Sequence, residues 1–158
     1  MAHITIEYMI MIPVLIMQIF LFPIAASVIM NTWGDSTTTI QLQTTAGHMG
    51  SSIQQLYYTM NHGSMSDGAM KITLDVPPII NGRAYTTTLS HVTHLDSSYQ
   101  IMNVTLKIIG TKVQTSTLVT LGQNVDWYEN LAFNSTSNNL SLIATKTANS
   151  IAISYGGN

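Results

Sequence analysis

The stretch YMIMIPVLIMQIFLFPIAASVIM, Tyr8 to Met30, decides the fold. Among these 23 residues only Gln18 and Ser27 are clearly polar, and the carboxylate of Glu7 stands just before them. As an α-helix rising ~1.5 Å per residue, the run spans about 34 Å, enough for the ~30 Å hydrocarbon core of a bilayer. No Lys or Arg precedes Lys71. The run also exceeds the ~7–15 residues of a secretory h-region, so it does not read as a cleaved secretory signal. A membrane anchor fits it, and so does a helix at the centre of an assembly, because both are apolar all round. The central helix of a soluble fold fits poorly, because the rest of the chain is too small and too polar to wrap so long an apolar cylinder.

Pro13 and Pro23 fall inside the run. Each removes a backbone donor and crowds the preceding turn, at a typical cost of ~3 kcal/mol in water. In lipid or an all-apolar bundle the freed groups are re-satisfied locally. Bends or one loosened turn are expected, above all around Phe20–Ala26, without ending the helix. Met9, Met11, Met17 and Met30 place flexible thioethers in or beside it, suited to uneven gaps between neighbours. Trp33 follows as an interfacial anchor. Gly34-Asp35-Ser36 then reads as a C-cap followed by a new N-cap.

Thr37–Gly50 gives neither a convincing helix nor a convincing strand. The helical period returns with Ile53, Leu56, Tyr57 and Met60 on one face, and Asn61-His62-Gly63 stops it. Tyr57-Tyr58 read as packing residues between helix and sheet. Ser64–Met70 reads as a loop. The period becomes two at Lys71–Val76, a strand ended by Pro77-Pro78. An Asn81-Gly82 turn leads to a strand over Ala84–Leu89. Tyr99–Ile109 and Val113–Leu121 form an antiparallel pair turned at Gly110-Thr111. Residues 122–139 read as a link containing Val125-Asp126-Trp127-Tyr128. Leu140–Lys146 and Ser150–Tyr155 close the chain. The class is α+β: a long N-terminal hydrophobic helix, then a small antiparallel sheet or sandwich of about six strands. The helical part is assigned to residues 3–62, with a hydrophobic section at 8–30 and an amphipathic neck at 51–61. The β-rich head is assigned to residues 71–158.

Only 8% of the 158 residues are charged and the net charge is −2, against a usual charged fraction of ~25%. Nothing here neutralises phosphates, so no nucleic-acid partner is expected. A surface of Thr, Ser, Asn and Gln repels its neighbours weakly and suits side-by-side packing. Cysteine is absent, which removes disulfides, thiol nucleophiles and thiolate metal sites. His91, His94 and Asp96 have metal-ligand spacing, but they sit in a polar turn and read as solvated. No metal, cofactor or catalytic residue is expected, and Asp75, Asp96, Asp126 and Glu129 carry no spacing that selects a catalytic pair. Three Asn-x-Ser/Thr sequons start at Asn103, Asn134 and Asn139. They matter if this part of the chain lies outside the membrane, and Asn134 is the best placed of the three.

His3-Ile4-Thr5-Ile6-Glu7-Tyr8, followed by the long apolar helix, resembles the archaeal type IV pilins with class III signal peptides. Their prepilin peptidase cleaves before a Gln-x-Ser-x-Glu-like segment. Aligned residue by residue, the family's first mature residue falls on His3, its third on Thr5, and the pilin glutamate on Glu7. His and Thr replace the usual Gln and Ser. Cleavage would fall between Ala2 and His3, and Pro23 corresponds roughly to the family's mid-helix proline. The neck, Ile53–Tyr58, and the first strand are similar in plan only. The resemblance implies a subunit held in the cytoplasmic membrane and then assembled by an ATPase and a membrane platform protein. The product would be an extracellular homo-oligomeric helical filament used for adhesion or cell–cell contact, without catalysis. Leu15, Ile19, Leu21 and Phe22 would pack its core, and Glu7 would set the register. An archaellum-type motility filament is the alternative within this plan. A membrane-anchored β-domain binding module is the alternative outside it.

Overall fold

The computed structural model describes residues 2–92, 99–127, 131–137 and 140–156. One long apolar helix is followed by two small β-sheets, an α+β arrangement. The helix α1 covers Ala2–Asn61. The chain divides into two compact units, Met1–Thr37 and Thr38–Asn158.

In the first unit α1 carries both Pro13 and Pro23 in its interior. Every residue of Phe20–Ala26 is α-helical, so the expected loosened turn does not form. The two prolines leave the carbonyls of Met9 and Ile19 without an amide four residues on, yet the flanking bonds hold the helix. The expected caps at Gly34-Asp35-Ser36 are also absent, because these residues are helical. Threonine competes with helices when its hydroxyl bonds to nearby backbone in other conformations. Here the hydroxyls of Thr32 and Thr37 donate to the carbonyls of Val28 and Trp33, each at 2.9 Å.

In the second unit α1 continues where neither helix nor strand was convincing. Thr44, Thr45, Ser52 and Thr59 repeat the same four-residue back-bond, to Ile40, Gln41, His48 and Gln55. Packing supplies what propensity lacks. Thr38, Leu42, Thr45, Ala46, Met49, Ile53, Leu56, Tyr57 and Met60 are all buried, a stripe at three- and four-residue spacing. Ile40, one of the residues that made this stretch ambiguous, faces out.

Eight strands come after the helix: β1 (Gly68–Thr73), β2 (Tyr85–Val92), β3 (Tyr99–Ile108), β4 (Gln114–Gly122), β5 (Val125–Trp127), β6 (Leu131–Asn134), β7 (Ser141–Thr147) and β8 (Ser150–Gly156). One sheet has the order β1-β7-β8-β5 and the other β4-β3-β2-β6. β3 and β4 pair antiparallel from Tyr99↔Gly122 to Lys107↔Gln114, as the alternation suggested. β1 begins three residues before the expected strand and ends at Thr73, where its partner β7 starts at Ser141. One further bond, from the Leu74 amide to the Leu140 carbonyl at 2.9 Å, closes that ladder before the prolines. The expected loop over Ser64–Met70 is therefore half strand. β5 and β6 fall inside what read as a link, and β5 runs parallel to β8, so the second unit is not purely antiparallel.

Alternation sorts the core. Tyr85, Thr87 and Leu89 of β2, Met102, Val104, Leu106 and Ile108 of β3, and Val119 and Leu121 of β4 point inward. α1 packs near β4: a Cβ added at Gly50 would lie 3.0 Å from methyls of Thr117 and Val119. Gln54 Nε2 also donates to the Thr120 carbonyl at 3.4 Å. The Asn81-Gly82 turn forms as read, with φ of 48° and 71°. Reciprocal bonds between Ile80 and Arg83, of 2.9 and 3.0 Å, close it.

Candidate assembly segment

The first unit presents its apolar residues outward. From Met9 to Trp33, seventeen large apolar side chains are more than half exposed, with Phe22 at 77% and Trp33 at 76%. Covering them would recover on the order of 20 kcal/mol, at about 1.5–3 kcal/mol per fully buried side chain. That figure makes leaving the segment uncovered in water costly. By length and composition the helix is able to cross a membrane.

Leu15, Ile19, Leu21, Phe22 and Pro23 line one shallow concavity, with Gln18 as the polar side chain on its wall. Leu15, Gln18, Ile19 and Phe22 share a face at three-, four- and seven-residue spacing, whereas Leu21 and Pro23 lie to either side of it. Leu15, Ile19, Leu21 and Phe22, expected to pack a filament core, thus fall within roughly two to three turns of α1 together with Pro23, spread around the helix. Ala2, His3 and Glu7 lie in the first two turns of α1, and their side chains fall outside the described part of the structure.

Among the described residues of the second unit, His91 and Asp126 stand on separate strands, β2 and β5. No group of three metal-ligating side chains comes together there. His91 is exposed on β2, while His94 and Asp96 lie outside the described residues. A second concavity sits on the outward face of the β1-β7-β8-β5 sheet, lined by Asp126, Thr145, Thr147, Ser150, Ala152 and Ser154. It offers hydroxyls and one carboxylate. The lining holds no histidine or lysine to act as a base on a nucleophile.

Three tyrosines hold their protons more tightly than usual. Burial pushes Tyr85 up to about 12, and its hydroxyl donates to the Pro77 carbonyl at 2.8 Å. Burial also raises Tyr155, with Tyr85 nearby adding to the effect. Tyr57 is raised by burial, opposed by a bond with the Gly122 backbone. These are internal phenols whose shifts follow from burial. Tyr57 packs as expected, whereas its neighbour Tyr58 is exposed and meets it edge-on at 5.6 Å. Trp127 ends β5, and Tyr128 lies outside the described residues.

The three sequons are placed differently. Asn103 is in the middle of β3 between Ser90 and Leu118. Asn134 is exposed at the end of β6. Asn139 lies outside the described residues. The sequence reading missed one hub, Ser135, which is 1% exposed. It accepts from the Tyr85 amide at 3.0 Å and donates to the Pro78 carbonyl at 2.7 Å. No periodicity marks a buried serine, so composition gave no sign of it. No protein-family model matches the chain, and comparison with curated proteins and with solved structures finds no significant match.

Proposed function

We propose that this chain is the structural major subunit of an archaeal type IV pilus-like surface filament, acting in adhesion or cell–cell contact. One observation carries the reading. An uncovered apolar helical segment, Met9–Trp33, belongs to the same chain as a β-rich unit with its own core. A segment of that kind needs lipid or other copies of itself, and a subunit that passes from one to the other uses both. The resemblance of His3–Tyr8 to the class III pilin start, with Glu7 at the pilin glutamate, supports the same conclusion.

On this reading a prepilin peptidase cuts between Ala2 and His3, and the helix waits in the cytoplasmic membrane. An assembly ATPase and a membrane platform protein then move subunits into the filament. Contacts are heterologous, so they continue without closing. Leu15, Ile19, Leu21 and Phe22, spread around the helix, meet neighbouring helices on more than one side. The lightly charged second unit, with its core closed, is exposed to the medium. No chemistry is required of the subunit.

The hydroxyl-lined concavity around Asp126 favours a second reading, a membrane-anchored binding module whose β-rich unit holds a polar ligand. Electron microscopy of appendages sheared from cells, with mass identification of their subunit, separates the two. Filaments built of this chain support the first reading. Recovery of the chain solely as a detergent-soluble membrane monomer removes it.

A further inference from the structure

The structure assigns Asn134 as the acceptor of an N-linked oligosaccharide and excludes Asn103. This rests on the placement of the second unit outside the cell that the proposed function requires.

Both residues begin Asn-x-Thr sequons, Asn134-Ser135-Thr136 and Asn103-Val104-Thr105. Their settings differ in three ways. First, Asn134 is exposed, whereas the carboxamide oxygen of Asn103 is buried without a hydrogen-bond partner among the described residues. Second, Asn134 is the last residue of β6, and the chain turns directly after it. The Ser137 amide donates to the Asn134 carbonyl at 3.0 Å, and the Thr136 amide points at Asn134 Oδ1 at 3.5 Å. The sequon threonine is thereby folded back beside the asparagine, and both are exposed. Asn103 and Thr105 are instead held in an extended strand with partners on both sides. Third, the middle residue anchors the turn from below. Ser135 is tied to Tyr85 and Pro78 by three hydrogen bonds, counting its own amide to the Tyr85 carbonyl at 2.8 Å. A sugar on Asn134 leaves those bonds in place.

The transfer takes its sugar from a lipid-phosphate-linked oligosaccharide. Nδ2 of Asn134 attacks the anomeric carbon, a C–N bond forms, and the bond from that carbon to the phosphate oxygen breaks. The electron pair leaves with the lipid phosphate, and one amide proton passes to the transferase. β6 is the terminal strand of its sheet, paired with β2 alone. A glycan at its end stands beside an open strand edge and obstructs edge-to-edge pairing between copies.

The test is intact-mass spectrometry of the full chain purified from cells that make it naturally, for N139Q and, in that background, for N134Q, T136A, T136S and N103Q, so that the third sequon adds nothing to the mass. The expected result is a mass above that of the polypeptide. That increment disappears in N134Q and T136A, returns at least in part in T136S, and persists unchanged in N103Q. An increment that survives N134Q, or one lost in N103Q, overturns the assignment. Protease added to intact cells keeps two failures apart. A second unit that is cleaved from outside but carries no sugar refutes the glycan alone. One that is protected and carries no sugar refutes the glycan and the extracellular placement together.

Discussion

The Tyr57 hydroxyl on α1 donates a 2.8 Å hydrogen bond to Oδ1 of Asn124, 67 residues away in the turn between β4 and β5. The Asn124 amide group in turn donates to Asn61 Oδ1 at 2.9 Å, and its carbonyl accepts the Ile151 amide at 2.7 Å. One asparagine thus ties the last turns of the helix to both sheets. Asn124→Ala removes two side-chain bonds and leaves the largely buried Tyr57 phenol with only its bond to the Gly122 backbone. The expected cost is about 2–3 kcal/mol, against ~1 kcal/mol for Tyr57→Phe. Chemical denaturation of the detergent-solubilised chain, followed by near-ultraviolet circular dichroism, checks the order of the two.

Gly122 makes that bond possible. A Cβ built there would lie 2.0 Å from the Tyr57 hydroxyl oxygen and 3.0 Å from its ring carbon. Gly122→Ala should therefore destabilise by roughly 2 kcal/mol, in the range of overpacked sites. In a Tyr57→Phe background the penalty should fall, because the nearest atom is gone. Equal penalties in the two backgrounds would show that the glycine is needed for another reason.

Tyr155 packs edge-on against Phe133 with ring centroids 4.4 Å apart, and its hydroxyl has no partner among the described residues. Burying a hydroxyl unpaired is costly, while removing it leaves the ring contacts. Tyr155→Phe should raise stability by about 1 kcal/mol. A decrease would mean that the hydroxyl is in use.

The second unit should lose stability in alkali. Tyr85 and Tyr155 have folded-state pKa values above the ordinary tyrosine value of 10.0. Their contribution is complete below pH ~10 and is lost above it, because the unfolded chain releases phenolic protons that the folded chain retains. For Tyr85 the loss extends to about pH 12. Unfolding midpoints measured from about pH 8 to about pH 12 should be level at first and then decline, and Tyr155→Phe should decline less steeply.

Glu7→Ala addresses the proposed assembly. Insertion into the membrane should survive, since the apolar run is untouched, while filament yield should fall at least tenfold. Comparing membrane-associated and sheared fractions by immunoblot measures both. A normal yield would remove Glu7 from assembly.

The apolar helix could be read from Tyr8–Met30 because lipid-length hydrophobicity needs no tertiary context. The next part of α1 could not be read this way. Its buried stripe includes Thr38, Thr45 and Ala46, which no hydropathy pattern separates from a surface. The extra caps inferred at Gly34-Asp35-Ser36 failed for a related reason, since hydroxyls at Thr32 and Thr37 bond to their own helix. β3, β4, β7 and β8 are long enough to display alternation. β5 and β6, of three and four residues, are defined by their partners β8 and β2. In Met9–Trp33 the residue types alone display the hydrophobic run, but the turn that separates Asn134 from Asn103 exists only once β6 has paired.

The hydroxyls of Thr32, Thr37, Thr44, Thr45, Ser52 and Thr59, each bonded to a carbonyl one turn earlier, give these positions of α1 an unusual freedom. Each carries its own acceptor with it, so none demands a matching group on whatever lies opposite. At those positions the helix asks its neighbours for a fit of shape and for no particular polar partner. Serine, threonine and alanine can therefore exchange at the exposed positions among them over generations without forcing a compensating change elsewhere.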